Sequence, residues 1–283
     1  MKRGYWSILI GIILFACQKG DVEKDKQAIE SLIESDTVWF NTTTEVESTS
    51  TQATLITQAG DTVSIIWWRG PQTHSPAVVN IEVVGDSAYV EWSRGNMGNL
   101  NIWAYTPSDS QWHFWQKPVV ETAKLNAIFY RTGSLTDPNR GWVLKKLSCA
   151  WAQSDTLHQV VIDSIRIESA SNPNLLIKDP LNTFYDLDSL ITFTSGESVD
   201  ITLYSHGEEA NAFLHTFILI PPYYVRDHFV NQGNGIHKGR WRAQLIPFPR
   251  YAIFDLLNHN SLYTEEGRYD FNGWLIPYTI KGK

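Results

Sequence analysis

The spacing of apolar residues changes twice along the chain. Residues 5–16 are apolar at almost every position (Tyr-Trp-Ser-Ile-Leu-Ile-Gly-Ile-Ile-Leu-Phe-Ala), and polar sequence starts directly after Cys17. The run is too short to span a bilayer as a helix, which takes roughly 20 residues. Over 24–40 the apolar residues Ile29, Leu32, Ile33 and Phe40 return at helical spacing with charges between them, which predicts one amphipathic helix. A Thr/Ser-rich stretch over 42–54 reads as a loop or an early strand. From Thr62 the pattern alternates with period two, and strands are expected at 63–69, 77–84, 87–94, 100–105, 111–118, 126–131 and 142–152. Gly85-Asp86 between two apolar runs is a hairpin signal, and a turn is expected at Pro107-Ser108-Asp109-Ser110. The glycine-rich 95–99 segment also reads as a hairpin loop.

A junction falls at 155–157. Beyond it come shorter alternating runs at 158–168, 198–205, 211–220, 241–246, 250–257 and 274–280. Turn signals separate them at Gly207, Pro221-Pro222, Gly233-Asn234-Gly235 and Glu266-Gly267, a spacing that predicts an antiparallel sandwich.

Leu14-Phe15-Ala16-Cys17, behind a short positive Lys2-Arg3 start and an apolar core, resembles the lipobox of bacterial lipoproteins. The resemblance implies a signal peptide at 1–16, cleavage before Cys17, acylation of that cysteine and a short tether over 17–23. Gln18 is not the aspartate that marks inner-membrane retention in enterobacteria, so the resemblance points to the outer membrane, on its periplasmic or surface face. Acyl chains contribute about 0.8 kcal/mol per buried methylene, and several on one cysteine anchor firmly.

The helix of Ile29 to Phe40, the Trp67-Trp68-Arg69 strand, Gln116-Lys117-Pro118, Phe129-Tyr130-Arg131 and Gly141-Trp142-Val143-Leu144 together resemble the nuclear transport factor 2-like (SnoaL-like) fold. The resemblance implies an α+β cone, a helix with a curved antiparallel sheet, over 24–153. Residues 193–199 resemble the entry of an immunoglobulin-like domain into its second strand, which implies an all-β sandwich over 157–283.

Composition narrows the function. The 30 acidic residues outnumber 23 basic ones for a net charge of −7, which argues against nucleic acid or another polyanion as the general partner. With Cys17 acylated, Cys149 has no intrachain disulfide partner, and its apolar surroundings read as a buried small hydrophobe. The chain has no nucleophile elbow, phosphate loop, zinc-protease motif or dinucleotide fingerprint, so neither cofactor nor metal is expected. Within a cone, Asp36, His74 and His113 are candidate proton carriers, with Tyr105 and Tyr130 as donors. His206, Glu208, Glu209 and His215 are a sparse metal set, and Arg226, His228, His237, Lys238, Arg240 and Arg242 form a basic island.

The aromatic set Trp39, Trp67, Trp68, Trp103, Trp115 and Trp142 is the strongest binding signal, because aromatic rings stack on sugars and other flat ligands. Trp67 and Trp68 must point to opposite faces of their strand, so only one of them lines any one site. Trp68 and Trp115 are the candidate ligand contacts, with Arg69 and Lys117 to hold an anionic group. The expectation is a membrane-anchored, non-enzymatic envelope protein that binds a small aromatic or sugar-like ligand or an envelope protein partner. A hydrolase or isomerase using the cone, and a structural assembly subunit, are the alternatives.

Overall fold

The computed structural model describes residues 6–40, 54–57, 62–106, 108–207, 209–218, 223–244 and 250–282. Most of the expected 42–54 loop, Pro107, Glu208 and the Pro221-Pro222 turn lie outside these residues. One long helix, α1 (Trp6–Ser35), precedes β1 (Thr54–Thr57), β2 (Thr62–Arg69), β3 (Thr73–His74), β4 (Val78–Val84), β5 (Ser87–Thr106), β6 (Gln111–Arg131), β7 (Trp142–Ser148) and β8 (Ala150–Ser154). There follow β9 (Val160–Glu168), β10 (Leu175–Ile177), β11 (Phe184–Asp186), β12 (Ile191–Thr194) and β13 (Ser198–Gly207). The chain continues through β14 (Ala210–Ile218), β15 (Tyr223–His228), β16 (Val230–Asn231), β17 (Ile236–Arg242), β18 (Arg250–Asn258), a short α2 (His259–Tyr263) and β19 (Phe271–Lys281).

A helix-packed cone followed by a separate sandwich is not what the chain forms. The protein is mostly strand, 61 % against 12 % helix, and its main feature is a large curled antiparallel sheet. Fourteen strands belong to that sheet, whose path runs β1-β2-β5-β6-β8-β19-β18-β14-β15; five more form a second sheet in the order β10-β9-β13-β17-β16. The large sheet crosses the 155–157 junction, since β8 pairs with β19 in the register Trp274↔Trp151. Strands from both of the expected domains therefore share one ladder.

The middle layer is β18 and β19. All nine residues of β18 are buried, as a strand covered on both faces requires. On one side Ile253, Leu257, Phe271 and Leu275 join a core with Ile65, Trp67, Leu100, Ile102 and Leu125 from the β2–β5–β6 wing. On the other side Phe254, Leu256, Trp274 and Ile276 pack against Ile165, Ile167, Ile201 and Leu203 of the smaller sheet. Gly273 is required here, because an added Cβ would lie 2.3 Å from the Phe271 ring.

Two details depart from the periodicity. The helix ends at Ser35 rather than Phe40, because Asp36 Oδ1 accepts the backbone N–H groups of Val38, Trp39 and Phe40 and offers them an alternative to the helical ladder. The glycine-rich 95–99 segment is not a loop but lies inside β5, paired to residues 118–122 of β6. Gly98 instead lets the 71–72 backbone come close, since a Cβ there would sit 3.1 Å from Pro71 O. The expected turns at Gly85-Asp86 and around 108–110 do form the hairpins β4–β5 and β5–β6.

Midway along its length α1 is bolted to the base of the β5–β6 hairpin. Asp25, buried, accepts from Arg131 Nη2 at 2.5 Å, Arg140 Nε at 2.7 Å and Trp142 Nε1 at 3.1 Å. Burial works against its charge, but these partners outweigh that and hold its pKa below the ordinary value.

Candidate functional site

The β2–β5–β6 wing has two faces of opposite character, and the register fixes which residue belongs to which. Directly opposed residues point the same way. The rows Ser64–Tyr105–Trp112, Ile66–Trp103–Phe114 and Trp68–Asn101–Gln116 therefore share the outer face. Ile65, Trp67, Arg69, Leu100, Ile102, Trp115 and Lys117 fall on the inner one.

The outer face is an exposed aromatic surface. Trp103 is 44 % exposed, Trp112 44 % and Phe114 49 %, a concentration of large apolar groups that a soluble surface rarely carries without use. The rings lean on one another: Trp68 on Phe114 at 6.4 Å, Trp103 on Phe114 at 5.9 Å and Tyr105 on Trp112 at 5.6 Å. At one end of the patch Gln116 Nε2 donates to Asn101 Oδ1 at 2.7 Å. None of the nine outer residues is charged. The nearest turn carries Asp109, whose carboxylate is 2.8 Å from His113 Nε2.

The inner face holds a buried polar network. Arg69 donates to Asp255 Oδ2 at 2.6 Å and, from Nε and Nη2, to the Tyr269 hydroxyl at 3.0 Å. Tyr269 donates in turn to Glu121 Oε2 at 3.0 Å, and Asn96 Nδ2 reaches the other Glu121 oxygen at 3.4 Å. His215 Nε2 lies 2.9 Å from Asp255 Oδ2. The Arg226 guanidinium lies 3.6 Å from the Trp67 ring centroid and donates to Trp67 O. Burial opposes the charges of Arg69, Asp255, His215 and Arg226. Arg69 then outweighs burial at Asp255 and holds the carboxyl below its ordinary range, while Asp255 holds Arg69 above its own. Arg226 is pushed down to about 9 and His215 is lowered, burial being the main cause for both.

The structure separates the residues that the sequence grouped. Trp68 is outside; Arg69, Trp115 and Lys117 are on the inner face. Arg69 is committed to Asp255 and Tyr269. Lys117 is buried, pushed down to about 8 by that burial, and donates to the carbonyls of Asn260 in α2 and of Thr264 just after it. Trp115 packs against the core. Sequence reading includes Trp103 with Trp68 in its aromatic set but misses Trp112 and Phe114, and it does not place the four on one face; the period-two spacing of Trp103 to Tyr105 and of Trp112 to Phe114 is the signal for it.

The other candidates are dispersed. Asp36 is taken by the 38–40 backbone. His74 Nδ1 lies 2.9 Å from Asn96 Oδ1, His113 pairs with Asp109 at the surface, and Tyr105 is on the outer face. Tyr130 lies at the far end of β6, opposite Ser87. His206 contacts Asp163 while His215 is in the core, and among the described residues no three His, Cys, Asp or Glu side chains converge as a metal site. The basic island is divided too: Arg226 stacks on Trp67, His237 is buried against Ser205, and Arg240 pairs with Asp200. Cys149 is fully buried, and burial pushes its thiol up to about 12, which makes it inert. Among the described residues no helix is long and apolar enough to cross a membrane. A scan against family models and searches of curated proteins and of solved structures find nothing that matches this chain.

Proposed function

We propose that the protein is a cell-envelope lipoprotein, held to lipid through acylated Cys17, that binds its ligand on the outer aromatic face of the β2–β5–β6 wing without catalysing a reaction. The observation that carries this reading is the uncharged outer patch on which Trp103, Trp112 and Phe114 are exposed and the half-buried Trp68 leans on Phe114. Its position supports the anchor as well. Midway along its length α1 meets the base of the β5–β6 hairpin through Asp25, Arg131 and Arg140, whereas the aromatic rows lie toward the turn at the other end of the same 20-residue strand. A chain tethered by Cys17 then holds the patch away from the lipid, facing the medium rather than the bilayer.

The test uses the chain from residue 18 onward and a bacterial cell-wall fraction. Wild type is expected to sediment with the wall. Trp103→Ala/Phe114→Ala is expected to stay in the supernatant while melting as wild type does. A wild type that does not sediment, or a double variant that sediments equally, contradicts the reading. Mass spectrometry of the protein from membranes is expected to find an acylated Cys17 as its first residue, and an unprocessed N-terminus contradicts the anchor.

A further inference from the structure

We infer that the ligand of the outer face is a single soluble strand of a neutral polysaccharide, lying along β5 and β6; this rests on the binding-face reading above. Four features of the face select that class.

The first is charge. The nine outer residues are Ser, Ile, Trp, Asn, Trp, Tyr, Trp, Phe and Gln, and the protein as a whole is acidic at −7. An anionic polymer meets no cation here and a net repulsive field. A cationic ligand finds no carboxylate on this face, since Asp109 at the turn is engaged with His113.

The second is the pairing of rings with amides. A pyranose presents C–H groups on one face, which are attracted to the negative face of an aromatic quadrupole, and hydroxyls around its rim. Trp103, Phe114 and Trp68 supply the rings. Gln116 supplies a planar amide on an exposed side chain, and the hydrogen bond to Asn101 fixes its orientation.

The third is repetition. The three cross-strand rows are two residues apart, so they recur at roughly 6.7 Å along the strands. A repeating chain matches a repeating surface, whereas a compact ligand uses one row only.

The fourth is tilt. Trp68 and Phe114 are inclined by 30°, and the Trp103–Phe114 and Tyr105–Trp112 pairs by 56° each. Rings inclined this way cannot all lie flush on the flat face of a crystalline polymer.

Calorimetric titration of the chain from residue 18 onward decides between these classes. The probes are the β-1,4-linked hexamers of glucose and of N-acetylglucosamine, a galacturonic acid hexamer, and microcrystalline cellulose in a sedimentation assay. At least one neutral hexamer is expected to bind, more tightly than its dimer. The acidic hexamer and the crystalline polymer are expected not to bind. Trp103→Ala/Phe114→Ala should weaken the neutral hexamer at least tenfold, and Gln116→Ala about threefold. If no neutral hexamer binds although the wall fraction still captures wild type and not the aromatic double variant, the binding face stands and the glycan assignment is overturned. If the wall fraction captures both proteins equally, the binding face itself is overturned. Equal binding of dimer and hexamer, preference for the acidic chain, or binding to the crystalline polymer each overturns the single neutral strand.

Discussion

Trp67 and Trp68 are neighbours in sequence and opposites in environment. Trp67 is 1 % exposed, clamped beneath the Arg226 guanidinium and against Phe213 in the core. Trp68 stands on the other face of the same strand and leans on the exposed Phe114. The inner face spends its chemistry on itself: its cations are matched across the fold, Arg69 to Asp255 and Tyr269, Lys117 to the carbonyls of Asn260 and Thr264. The outer face leaves large rings facing solvent. Residues of one type, on three shared strands, are thus divided between holding the protein together and meeting something outside it.

The largest expected effect comes from cutting between the two halves. β8 pairs with β19, and the core beneath the wing draws Phe213, Ile253, Phe271 and Leu275 from beyond residue 157. Residues 24–153 and 157–283 expressed separately are therefore expected to show no cooperative melt. A sharp melt from either would show that the inner face does not depend on its partner across the junction.

Next come the inner-face charges. Arg69→Met leaves Asp255 buried without its hydrogen-bonded cation, and removing one partner of a buried pair costs about 3–5 kcal/mol. Arg69→Met/Asp255→Leu should recover much of that loss in urea unfolding. Equal stability of wild type and Arg69→Met would remove the network from the account.

Acid provides a smaller, graded probe. His237 is buried, and burial first, then the charge of His228, pushes its pKa down to about 4. The unfolded chain takes up a proton near pH 6.5 while the folded one does not until about pH 4. Stability is therefore full above pH 6.5 and falls between pH 6.5 and 4. At about 1.4 kcal/mol for each pH unit of that interval, this residue accounts for a loss of about 3 kcal/mol. His228, also pushed down to about 4, and His215 act in the same direction. His237→Gln should flatten this part of the stability–pH curve, and an unchanged slope would contradict the assignment.

How much of this is legible in the sequence follows from the range of each interaction. Alternation and turn residues are local, so the hairpin at Gly85-Asp86 and the opposite orientations of Trp67 and Trp68 can be read directly. Helix termination by Asp36 depends on one side chain competing with the ladder, which periodicity does not register. The Arg69–Asp255 pair spans 186 residues and the β8–β19 pairing more than a hundred, and neither leaves a trace in a local window. That is why the sequence reads as two domains where strands from both sides share a sheet. For the same reason Arg69 and Lys117 read as free cations beside an aromatic site: their buried acceptors come from the far end of the chain. The outer face is only partly visible, because Trp68 and Trp103 become neighbours through pairing rather than through sequence.

The smallest expected change in stability belongs to the outer face, and it carries the central claim. Trp103 and Phe114 are each about half exposed and oppose one another across β5 and β6, so replacing both with alanine should cost only about 1 kcal/mol of pair and packing energy. The decisive measurement is the urea midpoint and the neutral-hexamer affinity of Trp103→Ala/Phe114→Ala, taken side by side with Trp67→Ala. The double variant is expected to keep nearly the wild-type midpoint and lose at least tenfold in affinity, while Trp67→Ala loses about 3–5 kcal/mol as a buried aromatic. A double variant as destabilised as Trp67→Ala, with affinity unchanged from wild type, would contradict the division of the wing into a structural face and a binding face.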